Sequence, residues 1–156
     1  MTAPARQLST PSLYDQDFYA WANEQAALLR AGKLAEADIE NIAEEIESLG
    51  KTEKRELVSR LTVLLLHLLK WRFQPSRRGR SREATITVQR NDVTDHLRDN
   101  PSLSAQLDEA MTRAYRKAAI SAMGETDLPL STFPVVCPSS FDQIMAQDFW
   151  PDADAS

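Results

Sequence analysis

Leu61-Thr62-Val63-Leu64-Leu65-Leu66-His67-Leu68-Leu69-Lys70-Trp71-Arg72-Phe73 is the most apolar stretch of the chain, and the remainder reads as elements arranged to cover it. Taken as a helix from Thr52 to about Phe73, it is roughly 33 Å long, the diameter of a small domain. Apolar residues occupy nearly every angular position between Leu61 and Leu69. A helix that is apolar all round needs partners on several sides. The unbroken run falls far short of the ~18 residues of a membrane span, and His67 and Lys70 interrupt it, so the reading is a buried helix in a bundle, with no membrane partner.

Composition fits that reading. Hydrophobic residues make up 42% and charged residues 26% of 156 positions, with four glycines, as in an ordinary globular chain of one domain's length. Such a chain buries enough surface to hold together without metal or disulfide. The single cysteine, Cys137, excludes an internal disulfide framework and points to a reducing, cytoplasmic compartment. Residues 1–12 contain Pro4 and Pro11 and no apolar signal core, and are expected to be a disordered leader. A single helical domain is expected over residues 13–151 and a disordered tail over residues 152–156.

The net charge of −5 conceals a segregation. Residues 15–50 carry two bases against nine acids, residues 51–90 eleven bases against three acids, and residues 91–156 four against eleven. Acidic helices lying over a basic centre explain this most simply; an external anionic partner is the alternative.

The periodicity predicts an all-α fold, an irregular bundle of about five helices plus a short C-terminal one. Tyr14, Phe18, Trp21, Gln25 and Leu28 share a face of a first helix that Gly32 stops. Ile39, Ile42, Ala43, Ile46 and Leu49 mark a second helix, with Asp38 as N-cap and Gly50 at its C-terminal end. Thr52 then caps the central helix, and Pro75 fixes its exit. Ser76–Arg82 has no apolar content and reads as a solvated loop or an anion-facing strap. A fourth helix runs from about Arg82 to Leu97. Asn100-Pro101 opens a fifth, ended by Gly124, whose small residues allow close packing. The proline-rich stretch Leu128–Pro138 suits an extended segment pinned into grooves. Ser140 and Gln143 are spaced as the capping box of a last short helix.

Several of these segments carry a resemblance. Asp-Phe-Tyr-Ala-Trp (17–21), Gln-Ala-Ala-Leu-Leu-Arg-Ala-Gly (25–32), Asn-Ile-Ala-Glu-Glu-Ile-Glu-Ser-Leu-Gly (41–50), Leu-Leu-Leu-His-Leu-Leu-Lys-Trp (64–71), Leu-Pro-Leu-Ser-Thr-Phe-Pro (128–134) and Asp-Phe-Trp-Pro (148–151) resemble the bacterial domain-of-unknown-function family 29. The resemblance implies a helical fold and a bacterial source, and brings no activity. The chain departs from the usual pattern at Arg82 and Glu83, where a tryptophan and an arginine are typical, and at Ser139, where a tryptophan is common.

Two constellations could carry chemistry. Glu44 and Glu47, with Glu45 alongside, and His67 and Lys70 at i and i+3 supply the carboxylates, imidazole and amine that general acid–base work requires. The plainer reading is a buried polar anchor. A two-residue turn at Gly50 and Lys51 predicts antiparallel neighbours, with Glu44 and Glu47 near the turn and His67 roughly 25 Å beyond it. One histidine of this kind is sparse provision for a metal, so no metal or cofactor is expected. The second constellation is Arg77, Arg78, Arg80 and Arg82, which suits anions but lacks interleaved aromatics for stacking bases. Cys137 has no motif around it and reads as a small core residue. No glycine-rich nucleotide loop or Ser-His-Asp signature is present. The ranking is therefore a non-catalytic interaction or regulatory module engaging a protein partner or a second copy. A small enzyme using the Glu/His/Lys cluster, or a nucleic-acid binder using the arginine strap, stands as the alternative.

Overall fold

A computed structural model describes residues 12–152; the leader and tail expected at the two ends lie, apart from Ser12 and Asp152, outside the described residues. Every regular element among them is helical: α1 (Leu13–Gln16), α2 (Phe18–Arg30), α3 (Ile39–Phe73), α4 (Arg80–Asp99), α5 (Leu107–Thr126) and α6 (Phe141–Met145), with 3-10 turns at Pro75–Arg77, Pro101–Gln106 and Leu130–Thr132. The all-α expectation holds. The chain divides into two compact units, Met1–Gly50 and Lys51–Ser156.

In the first unit, the single first helix expected from the apolar face is two helices. Asp17 breaks it, adopting an extended φ of −149° and accepting the Ala20 N–H at 3.0 Å as the N-cap of α2. Gly32 stops α2 as expected: its φ of 72° is left-handed, and the Lys33 N–H reaches back to the Leu28 carbonyl at 2.9 Å in a Schellman closure. α2 then packs antiparallel to the start of α3. Asp38 organises the junction: its backbone N–H donates to Gln25 Oε1 at 2.7 Å, and its carboxylate accepts from Trp21 Nε1 at 3.1 Å and Asn41 Nδ2 at 2.7 Å. These donors hold its pKa below the ordinary carboxylate value, the Asn41 bond foremost.

The expected break at Gly50 is absent. Residues 39–73 form one helix, so neither a Gly50 stop nor a Thr52 cap exists. A glycine ends a helix by turning left-handed, as Gly32 does; Gly50 keeps a negative φ. The residues after it, Lys51-Thr-Glu-Lys-Arg-Glu, are mostly strong helix formers, reinforced by an Arg60–Glu56 pair at 2.9 Å.

In the second unit α3 supplies the core: Leu57, Leu61 and Leu64 are fully buried, with Leu65, Leu68, Leu69 and Trp71 nearly so. α4 contributes Ile86 and Val93, and α5 a row of Ala110, Ala114, Ala118 and Ala122, all fully buried. Alanine at every fourth position lets α5 approach closely. The α4 prediction holds and outweighs the β-branched run at Thr85–Val88. The fifth helix begins with a 3-10 segment from Pro101 and continues past Gly124 to Thr126, where Asp127 takes the left-handed cap at φ 57°. The Ser140–Gln143 capping box forms as predicted.

Ion pairs account for much of the charge segregation in this unit. Lys54 pairs with Glu109 at 3.1 Å, Arg60 with Asp92 at 3.7 Å, Lys70 with Glu125 at 3.8 Å and Arg78 with Asp152 at 3.9 Å. Bases of segment 51–90 thus meet acids of segment 91–156.

The two kinds of position on α3 should respond oppositely to substitution with alanine. Leu64→Ala should destabilise by about 2–5 kcal/mol in denaturant unfolding. Gly50→Ala, whose added Cβ would meet nothing within 4 Å, should stabilise by about 0.5–1 kcal/mol; a loss instead would mean that Gly50 is a helix end.

Candidate functional site

The most deeply buried polar side chain among the described residues is Arg90 on α4, which sequence reasoning passed over as one base among eleven. Its guanidinium meets the C-terminal segment. Nε donates to the Ile144 carbonyl at 2.7 Å, Nη1 to that of Gln147 at 3.4 Å and Nη2 to that of Phe149 at 2.5 Å, while the Trp150 ring lies 5.2 Å from Cζ. Burial pulls its pKa down and the nearby Asp148 charge opposes that. Five donors in a rigid fork suit three backbone carbonyls arranged in an arc, so Arg90 is a clamp on residues 144–150. Trp150 in turn packs on Trp71 at 4.7 Å, and Arg78 covers Trp71 from 5.4 Å.

The arginine strap divides. Arg78 donates from Nε to the Trp71 carbonyl at 2.7 Å and Arg82 from Nη1 to the Lys70 carbonyl at 3.3 Å. Arg78 answers a carbonyl at the C-terminal end of α3, and Arg82 adds a second donor to the Lys70 carbonyl, which already accepts the Gln74 N–H at 2.9 Å; positive charge there also meets the helix dipole. Arg77 and Arg80 are exposed. The run is partly a helix cap rather than a continuous anion-facing row.

Glu44 and Glu47 are exposed on the first-unit part of α3, while His67 and Lys70 belong to the second unit. The hairpin in which their meeting was weighed does not form, since Gly50 is helical. His67 is half-buried, its Nδ1 makes no hydrogen bond, and the charges acting on it are Lys70, Glu125 and Arg82. Its pKa is lowered chiefly by burial, then by Lys70 and Arg82, with Glu125 opposing. The acid nearest this cluster therefore comes from α5, which no local pattern announced.

A groove of about 1020 Å³ in the second unit runs between α5 and residues 130–141, lined by Met111, Ile120, Phe133, Val136 and Phe141 with Asp108 and Arg116 among them. Its volume is at the upper end of ligand pockets. Tyr115 forms its floor: the hydroxyl donates to the Pro134 carbonyl, and burial, helped by Cys137, raises its pKa to about 12. Cys137 is half-buried, donates weakly to the Ser139 carbonyl at 3.3 Å and has its thiol pKa pushed up by burial, as fits a packing residue. A second cavity, of about 30 Å³, lies beside Arg72, Tyr115 and Cys137. Neither cavity is lined by His67. Among the described residues no cluster of three or more His, Cys, Asp or Glu could hold a metal ion, and no helix is long and apolar enough to cross a membrane.

A different surface stands out in the first unit. Among its described residues Trp21 and Gln25 are buried, whereas Ile39, Ile46 and Leu49 are 53%, 62% and 67% exposed and Phe18, Tyr19, Leu29 and Leu34 are exposed with them. Tyr14, Phe18 and Trp21 form an edge-packed aromatic cluster with centroids 4.8–5.8 Å apart, and Tyr14 donates to Glu45. The hairpin covers one side of α3 and leaves the next bare.

Replacing the clamp should be costly. Arg90→Met should destabilise by about 1–3 kcal/mol, the cost of leaving the buried Ile144 carbonyl without a donor, and Arg90→Lys should not rescue it. Thermal unfolding and proteolysis within residues 140–152 measure this. The lowered pKa of His67 also has a sign. Unfolded chains take up this proton near pH 6.5 and the folded chain resists, so stability should fall as pH drops from 7 to 5.5. His67→Gln should flatten that slope in denaturation measured across the window.

Comparison with curated proteins gave no match, and comparison with solved structures gave none. The family model described as domain of unknown function DUF29 matches residues 13–150, nearly the whole described chain. That span takes in Asp148-Phe149-Trp150 of the segment gripped by Arg90, the α3 core and the hairpin of the first unit, and the chain belongs to the DUF29 family.

Proposed function

We propose that this protein is a non-catalytic interaction module that binds a protein partner through the N-terminal hairpin. The observation that carries the reading is the exposed apolar side of α3 in the first unit, where Ile39, Ile46 and Leu49 repeat at helical spacing. Single exposed apolar residues are ordinary; a contiguous row of large ones on a unit with two buried side chains among its described residues is the composition of an interface core. The partner supplies a helix, because a row at three- and four-residue spacing is matched by another such row. The enzyme alternative rests on His67 with Lys70 and Glu125, and the nucleic-acid alternative on the exposed Arg77 and Arg80. The exposed row supports the interaction reading over both.

The experiment compares wild-type full-length protein with the double variant Ile46→Asp, Leu49→Asp. The variant should unfold within a few degrees of wild type, since exposed substitutions usually move stability by about 0.5 kcal/mol or less. It should lose both binding of an apolar-surface dye and any partner recovered with the wild type. A large drop in unfolding temperature would make these residues core, and unchanged recovery would move binding elsewhere.

A further inference from the structure

Resting on the interaction reading above, we infer that the partner seated on the first unit is a basic amphipathic helix of another protein. Two features of the stripe specify a helix. Ile39, Ile42, Ile46 and Leu49 follow one another at three, four and three residues, the spacing of a coiled-coil seam over two heptads. Ala43 and Gly50, each four residues after a stripe isoleucine, edge it with small side chains. Gly50 has no reason within the chain: its φ is not left-handed and a Cβ added to it would meet nothing within 4 Å. A glycine in a helix interior is retained at a cost, and here the close approach that repays it comes from outside the chain.

Charge specifies the sign of the partner. On the side of the stripe facing α2, Asp38 and Glu45 are occupied by Trp21, Asn41 and Tyr14. On the far side, Glu40 and Glu47 each follow a stripe isoleucine by one residue, and exposed Glu44 lies beyond them. Residues 15–50 carry nine acids against two bases. A second copy of this surface would set acidic rows against each other, whereas lysines and arginines flanking an apolar row would meet Glu40, Glu44 and Glu47. The stripe supplies contact area and the glutamates choose the partner.

The test uses the full chain and two synthetic peptides of about three heptads, identical in their leucine positions, one flanked by lysine and one by glutamate. The lysine peptide should bind at least about tenfold tighter in titration calorimetry, and the margin should shrink as salt is raised. Ile46→Asp should abolish its binding, and the combined Glu40→Lys, Glu44→Lys, Glu47→Lys variant should reverse the preference. Equal binding of the two peptides would overturn the basic partner while leaving the interaction surface standing. A concentration-dependent dimer abolished by Ile46→Asp would overturn it in favour of self-association. Peptide binding indifferent to Ile46→Asp would remove the surface itself.

Discussion

A single buried guanidinium sets the terms for the second unit. Arg90 lies where α3, α4 and the C-terminal segment meet, and it has no exposed atom. A charge so placed is tolerated only if its donors are met, and here backbone carbonyls of Ile144, Gln147 and Phe149 meet them. A carboxylate would satisfy the charge with one side chain. Carbonyls do so only if the segment holds one path, which is how a stretch with a single short helix becomes fixed. The Asp-Phe-Trp-Pro segment gains its meaning from this contact: Asp148 offsets the charge, Phe149 offers a carbonyl and Trp150 stacks between Arg90 and Trp71.

The same logic runs along the rest of the C-terminal segment. Tyr115 donates to the Pro134 carbonyl and Phe133 stands edge-on to Phe73 at 5.3 Å, so α5 and the end of α3 hold residues 133–134. Between those anchors Val135 stands 97% exposed, and the groove along α5 opens beside it. Pinning by backbone carbonyls leaves side chains available to point outward. A strap held this way can carry an apolar surface without unfolding.

The first unit is built on the opposite plan. Its order comes from polar ties around Asp38 and from an aromatic cluster at one edge, with little burial. Hydrogen bonds open to water contribute less than a fully buried leucine side chain, which is worth about 1.5–3 kcal/mol. The stability of the chain therefore resides in residues 51–152, and the hairpin is the part whose apolar surface is still open to a partner.

The sequence by itself determined the all-α class, several helix ends and the core of α3. Leu61, Leu64 and Leu68 announce their burial by the unbroken apolar run they lie in, Ser140 and Gln143 their capping box, and Gly32 its stop, because each signal acts over a few neighbouring residues. Gly50 misled because stopping depends on its backbone angles, and nothing local distinguishes a glycine that turns left-handed from one that stays helical. Only the tertiary structure decided which charges pair and which side chains are buried. Glu125 rather than Glu44 or Glu47 lies by Lys70, Arg78 and Arg82 cap α3 rather than face solvent, and Arg90 is interior. These depend on contacts between residues 7 to 59 positions apart, and a charged residue carries no mark in its own neighbourhood of the carbonyl or carboxylate that will meet it.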